Sequence, residues 1–216
     1  MDQYFFSYSE MLSAREECVR RFGNIFSLPV LPGSPLDALS KRVPPPRHML
    51  DFGAGPQRLK SFITSSFPGM AYHSLDADTS YGCDWACIDD IPVDMTFSLI
   101  CADQVLEHIP LEDSLRIMRI IGDKLAPGGI FYASVPNVAH PVRYWSNIEH
   151  CTHVSFVDLY YYCSHAGLKT LALYRYGKRH IRGWIEKFFA KRIQDIYRMD
   201  YADSICIVAE KPGRSL

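Results

Sequence analysis

The sequence predicts an α/β protein built on a parallel, doubly wound sheet covered on both faces. Three observations carry this expectation. Short apolar runs alternate with helical patterns from His48 onward; a turn with two glycines, DFGAGPQR (residues 51–58), follows the first of those runs; and 48% of the 216 residues are apolar, enough to bury one substantial core. Two full domains would be cramped in this length, so the expected division is a helical N-terminal extension with a linker over 1–43 and a main domain over 44–216.

The elements follow in chain order. Residues 7–28 place Met11, Leu12, Ala14, Cys18, Val19 and Phe22 at helical spacing among charges, predicting one or two helices. The proline-rich LPVLPGSPLDALSKRVPPPRH then sustains neither helix nor central strand and reads as a linker over the surface. HMLDF predicts a strand, QRLKSFITSSF a helix, MAYHSLDA a strand and WACID a short strand. FSLICAD and GIFYASVPN predict strands flanking the helix LEDSLRIMRIIGDKL, and VDLYYYCSHAG predicts a helix. LKTLALYRYG and DSICIVAEK close the chain as strands, separated by a basic helical insertion over about 180–198. Internal repeats and low-complexity tracts are absent from the sequence.

Bulk properties narrow the partners. A net charge of −1 gives no overall attraction for nucleic acid, so no nucleic-acid partner is expected. The seven cysteines (18, 83, 87, 101, 151, 163 and 206) are odd in number and scattered, mostly within apolar stretches, which is reduced usage. MDQYFFSYSEML has no basic-then-apolar signal pattern, and no apolar run approaches the roughly 20 residues of a membrane span, so a cytoplasmic placement is expected.

The glycine turn stands where the first strand of an open α/β sheet meets its helix, the usual place for a nucleotide-like ligand. Gly53 and Gly55 allow a tight turn and close backbone approach, and Asp51 is placed to accept hydrogen bonds from a charged amino group. A dinucleotide fingerprint needs a third glycine where this chain has Arg58, and Pro56 removes an amide donor from the place a diphosphate would occupy. The turn therefore suits a ligand without a diphosphate. Asp76, about 20 residues beyond Gly55 at the end of SLDAD, is placed for ribose hydroxyls; Asp76 and Asp78 also read as ordinary turn residues closing a strand.

These pieces resemble class I S-adenosylmethionine-dependent methyltransferases over residues 48–177 and at the final strand. The matching motifs are LDFGAGP, LDAD, CIDDIPV, and FSLICADQVLEHIP followed by LAPGGIFYASVPN. Val105–Pro110, SVPNVAH and THVSFVDLYYYCSHAGL are similar to bacterial methyltransferases of glycan and lipopolysaccharide biosynthesis. The resemblance implies a Rossmann-like, seven-stranded sheet with an antiparallel last strand, and S-adenosylmethionine as cofactor. It places Gly53 and Gly55 beside the methionine part, Asp51 at its amino group, Asp76 on the ribose, and Ala102, Asp103 and Gln104 opposite the first loop. It puts Asp89 at the adenine; a one-residue shift gives Asp90, and a gap-free alignment gives Cys87. Ser98 and Gln104 depart from the family, which often has Asp and His there.

Methyl transfer to a hydroxyl needs a positioned acceptor and a proton acceptor, for which histidine is the natural residue. His153, His140 and His108 are the candidate bases: His108 follows the fourth strand and also reads as part of a turn-stabilising Glu–His pair, His140 follows the fifth, and His153 matches a histidine common in the glycan-linked relatives. His150 is adjacent and has less support. His150 and His153 share a spacing that invites a metal, but no second cluster supplies further ligands, so no metal is expected; Cys83 and Cys87 read as small core residues. Tyr144, Trp145, Tyr160, Tyr161 and Tyr162 mark either an acceptor pocket or ordinary packing.

In the basic insertion, Ile181, Trp184, Ile185, Phe188, Phe189 and Ile193 share helical spacing, with Arg179, Arg182, Lys187, Lys191 and Arg192 on other faces. Four placements stand open: docked on the domain, a lid, a homodimer contact, or a peripheral membrane contact. The reading as a whole is a methyltransferase acting on a small-molecule or glycan-like acceptor, on oxygen. A non-catalytic nucleotide-binding or regulatory protein of the same fold is the alternative, as is a nicotinamide-dependent reductase, which Arg58 opposes.

Overall fold

The structure is a computed structural model and describes residues 7–31, 48–177 and 183–213. Helix α1 (Tyr8–Phe22) begins on Ser7, whose hydroxyl accepts from the Glu10 amide at 3.3 Å, and ends on Gly23 at φ 77°. It lies against the helix of the VDLYYY segment, with Cys18 buried and Arg21 donating to Tyr160 Oη (3.3 Å) and to the Thr170 carbonyl (3.0 Å).

Strands β1 (Val30–Leu31), β2 (His48–Phe52), β3 (Ala71–Leu75), β4 (Phe97–Asp103), β5 (Leu125–Pro136), β6 (Lys169–Tyr176) and β7 (Ser204–Glu210) form one sheet in the order β1-β6-β7-β5-β4-β2-β3. Strand β7 runs antiparallel to β5 and β6, and the other pairings are parallel. This is the expected Rossmann-like, seven-stranded sheet with an antiparallel last strand. Helices α2 (Lys60–Ser66), α3 (Leu111–Lys124), α4 (Phe156–His165) and α5 (Trp184–Tyr197) are the other described α-helices, and short 3₁₀ turns join several of the elements.

The double winding is visible in the alternation along each strand. On β4, Ile100 and Ala102 join a cluster with α1, α3 and α4, while Leu99 and Cys101 join a second cluster that includes Ile63 and Phe67. On β5, Phe131, Ala133 and Val135 take the first side, Ile130 and Tyr132 the second. A period of two on strands buried on both faces is what the near-continuous apolar runs encode. No described helix is long and apolar enough to cross a membrane.

Three local expectations are corrected. The segment read as a linker contributes β1, in parallel register with Arg175 and Tyr176 of β6; residues 32–47 of that segment lie outside the described residues. WACID forms a single bridge, Trp85 to Leu75, because the Asp90 carboxylate accepts from the Cys87 amide at 3.0 Å and folds the chain into a 3₁₀ turn over Ile88–Asp90. The seventh strand is thus β1 at the opposite edge. The helix expected from Gln57 starts at Lys60, since Gly55 (φ 48°) and Gln57 (φ 54°) are both left-handed.

Of the four placements left open for helix α5, the structure bears on docking. It buries Gln194 and leaves Trp184 78%, Phe189 61% and Ile196 65% exposed, so its apolar side is not docked on the sheet. Ile181, Arg179 and Arg182, which belonged to the same expectation, lie outside the described residues. What anchors the end of α5 is polar. Asp200 Oδ1 accepts from Gln194 Nε2 (3.1 Å), Arg175 Nη1 (2.8 Å) and the Tyr201 amide (2.9 Å), and Oδ2 accepts from Asn137 Nδ2 (2.9 Å). Arg175 also donates to the carbonyls of Leu28 (2.9 Å) and Phe26 (3.0 Å), tying the N-terminal segment to β6.

Because Arg175 and Asp200 are both buried, removing one leaves the other's charge unpaired in the interior. Arg175→Met is expected to cost about 3–5 kcal/mol in chemical denaturation, whereas Phe189→Ser on the exposed helix changes stability by less than about 0.5 kcal/mol.

Candidate active site

At the carboxyl ends of β2, β3 and β4 the turns enclose a cleft of about 530 Å³. The glycine turn forms one wall. The Gly53 and Ala54 amides both donate to the Leu75 carbonyl, at 2.8 and 2.9 Å, stapling the turn to the end of β3. Gly53 sits at φ 72°, and a Cβ there would stand 2.4 Å from Val105 Cγ2, so no side chain fits between this turn and the one after β4. Gly55 donates its amide to Asp76 Oδ2 at 2.7 Å, and the Asp78 amide donates to Oδ1 at 2.9 Å. The half-buried Asp76 carboxylate is thereby held facing the cleft with a lone pair left on each oxygen.

Asp51 lies behind this wall. Its buried carboxylate accepts from Tyr72 Oη at 2.6 Å, and burial raises its pKa from 3.8 to about 6 despite that hydrogen bond. The opposite wall comes from the end of β4. Gln104 adopts φ 60°, its amide donates to the Ser134 carbonyl (3.0 Å) and its Nε2 to Ser134 Oγ (2.8 Å), while the Ser134 hydroxyl donates in turn to Asp103. A non-glycine residue held left-handed costs on the order of 1 kcal/mol and occurs mostly where a site needs it. Ala102, two residues earlier on β4, is fully buried in the sheet and does not line the cleft.

The third side is formed by Cys87 and Ile88, with Arg116 reaching in from α3. Asp89 is exposed and does not itself line the cleft, its carboxylate being paired at the rim with Arg116 Nη1 at 3.0 Å. The gap-free position, Cys87, is therefore the one at the cleft.

The histidines separate. His108 lines the cleft, with Nδ1 3.1 Å from the Glu149 carbonyl. His140 lies in a different groove beside α5, and its Nδ1 accepts from the amides of Val142 and Arg143 (3.2 Å each), a turn-capping role. His153 is exposed, its ring beside Tyr144 and Trp145 at 5.4 and 6.4 Å. His150, which the sequence reading ranked last, turns inward instead: Nδ1 is 2.8 Å from the Tyr144 carbonyl, and Nε2 is 3.9 Å from Glu107.

The sequence marks Glu107 only as the partner of His108 in a turn-stabilising pair. Glu107 is 1% exposed, burial raises its pKa from 4.5 to about 8, and neither carboxyl oxygen has a hydrogen-bond partner among the described residues. It lies with His108, His150, Gln104 and Arg143 around a second cavity of about 240 Å³ that shares His108 and Gln104 with the cleft. A charged residue inside the apolar run QVLEHIP was the available signal.

A family described as the methyltransferase domain matches residues 28–173, and the chain belongs to it. The protein is accordingly an enzyme, a transferase of methyl groups. No curated protein sequence matches this one. Among solved structures, an S-adenosylmethionine-dependent methyltransferase from Archaeoglobus fulgidus is similar in fold at 13% identity, with a TM-score of 0.66 over 95% of this chain and 100% of its own. The N-methyltransferase NodS of Bradyrhizobium japonicum WM9 superposes at 13% identity and TM-score 0.53, over 95% and 98%. Phosphoethanolamine N-methyltransferase 2 of Haemonchus contortus, solved with S-adenosyl-L-methionine, does so at 17% and 0.58, over 93% of this chain and 57% of that one.

Two outcomes test this geometry. Gly53→Ala must move Val105 and hold alanine at a left-handed φ, so it is expected to lower stability by about 2 kcal/mol or more in chemical denaturation. Asp51 binds its proton more tightly folded than unfolded, so its contribution is fully present below about pH 4 and is lost as pH rises through about 6. Between pH 4 and 7, Asp51→Asn should therefore gain on the wild type by up to about 3 kcal/mol in paired denaturation curves.

Proposed function

We propose that this methyltransferase moves a methyl group from S-adenosylmethionine to a hydroxyl oxygen of a small-molecule or glycan-like acceptor. The carrying observation is that Gly53, Gly55 and Asp76, brought from two successive strand ends, frame one wall of a single cleft whose other walls come from β4 and the Cys87–Ile88 turn. The cofactor fits what is there. Gly53 leaves no Cβ between the turns, Asp76 keeps lone pairs for two ribose hydroxyls, and Leu75, Ile88 and Ile109 supply apolar surface for a flat base.

When bound, the sulfonium would supply an electrophilic methyl carbon to the acceptor oxygen, the carbon–sulfur pair staying on sulfur and the hydroxyl proton passing to solvent. The chain's own residues position and shield. Asp76 orients the ribose, and Cys87 with Ile88 lies against the adenine in place of Asp89, whose pairing with Arg116 fixes that guanidinium at the rim. Gly53, Gly55 and Gln104 bracket the methionine end, with Asp51 supporting the glycine turn from behind through Tyr72, and Ala102 backing it from the sheet. The acceptor approaches from the His108 side, through the cavity shared with Glu107 and His150. His140 and His153 are set apart from this approach and are not assigned a role in proton removal.

Asp76→Ala is expected to weaken S-adenosylmethionine and S-adenosylhomocysteine binding at least about tenfold in calorimetry, since hydrogen bonds to a charged group are worth about 1.5–3 kcal/mol. Unchanged affinity would remove the ribose assignment and with it this reading of the cleft.

A further inference from the structure

Glu107 poses a physical problem that the methyl-donor cleft does not solve. A carboxyl group 1% exposed, with both oxygens unpartnered among the described residues, is a costly thing to bury. Its backbone is firmly placed: the Glu107 carbonyl accepts from the amides of Cys151 and Thr152, each at 3.0 Å, which docks the 150–152 segment on the turn after β4. That docking brings His150 to the carboxylate beside His108, the next residue in sequence, the two rings meeting edge to face with centroids 4.9 Å apart. Glu107 Oε1 is 4.0 Å from His108 Nε2 and 3.9 Å from His150 Nε2.

Both rings are fixed in the same sense. A carbonyl oxygen only accepts, so His108 Nδ1 at 3.1 Å from the Glu149 carbonyl and His150 Nδ1 at 2.8 Å from the Tyr144 carbonyl must each carry the proton. In the neutral rings the lone pairs are then on Nε2, and both Nε2 atoms are the ones turned to Glu107. A ring nitrogen tied to a backbone carbonyl, with the other presenting its lone pair, is the arrangement that orients metal-bound histidines. One donor atom from each of Glu107, His108 and His150 lies within 4.8 Å of the other two. Tetrahedral bonds of about 2.0–2.1 Å put donors roughly 3.4 Å apart, so each Glu107–histidine distance is about half an ångström longer than a metal would set, and the two imidazole donors, within 4.8 Å of each other, would have to draw together as well.

We infer that Glu107, His108 and His150 form a binding site for a divalent transition-metal ion of the zinc class, whose open coordination position faces the acceptor cavity. Two imidazoles and a carboxylate make three protein ligands, the number used where a fourth position is kept for substrate or water. The location gives the ion its work. His108 and Gln104 line both the donor cleft and the 240 Å³ cavity, so an acceptor oxygen bound to the ion stands at the junction of the two. There the ion acts as a Lewis acid: the hydroxyl proton passes to solvent, the oxygen lone pair forms the new bond to the methyl carbon, and the carbon–sulfur pair remains on sulfur. No histidine base is needed. Arg143, the cation on the same cavity, is drawn off toward Asp203 at 3.6 Å. This role for the ion rests on the methyltransferase reading above; the site itself does not.

The test is calorimetric titration of the chelator-stripped full chain with Zn²⁺, paired with S-adenosylhomocysteine binding on the same protein. One equivalent of zinc is expected, weakened at least about 100-fold by His150→Ala and by Glu107→Gln, with both variants still binding S-adenosylhomocysteine as proof of folding. Cobalt substitution of the wild type provides a readout that does not depend on variants folding: a tetrahedral visible spectrum without thiolate charge transfer supports the site. No zinc binding, equal binding by wild type and both folded variants, or a thiolate-type cobalt spectrum overturns it. Zinc binding without S-adenosylhomocysteine binding would uphold the metal site and sink the function proposed above; the converse would do the reverse.

Discussion

The contact between Gly53 and Val105 is the constraint on which the cleft rests. Two turns leaving neighbouring strands approach until the missing Cβ of one is the space taken by the side chain of the other. The same turn is held from its other side by Leu75, whose carbonyl receives two consecutive amides, and by Asp76, which receives the Gly55 amide. The ends of β2, β3 and β4 are therefore locked to one another by backbone groups before any ligand arrives. Pre-organisation of this kind spares the ordering cost of binding, and it makes the cleft insensitive to most changes of side chain around it.

That dependence on backbone explains what could be read in the sequence. Two glycines at a strand end and an acid about 20 residues later are local marks of a turn and a neighbouring strand end, so spacing points to Gly53, Gly55 and Asp76, and all three line the cleft. The layering of β4 and β5 was legible for the same reason, each residue's side being set by its parity. What failed were places where a side chain overrides the pattern. The Asp90 carboxylate caps the Cys87 amide and converts an expected strand into a turn, which carries Asp89 off the cleft to Arg116. Gln57 takes a left-handed conformation and delays α2.

Glu107 and His150 stood beyond local reading for a different reason. They are 43 residues apart and meet only because two amides of the 150–152 segment land on one carbonyl after β4. The spacing of His150 and His153 suggested a shared helical face, yet in that stretch the chain is irregular and sends one ring inward and the other to solvent. Periodicity says which side of an element a residue takes; it is silent on which loops meet. Asp200 makes the same point, gathering β6, the end of α5 and the loop after β5 through one carboxylate that looks like a turn residue in the sequence.

The placement of β7 has a bearing on how the chain is made. Of the described strands it is synthesised last, and it lies between β5 and β6, antiparallel to both. Strands β2 to β5 can pair among themselves as they are made and β6 can pair with β1, but the facing edges of β5 and β6 have no partner until residues 204–210 emerge. Nascent chains of this protein thus carry an unpaired apolar edge through the whole translation of α5, which is the interval in which chaperone capture or edge-to-edge association competes with folding.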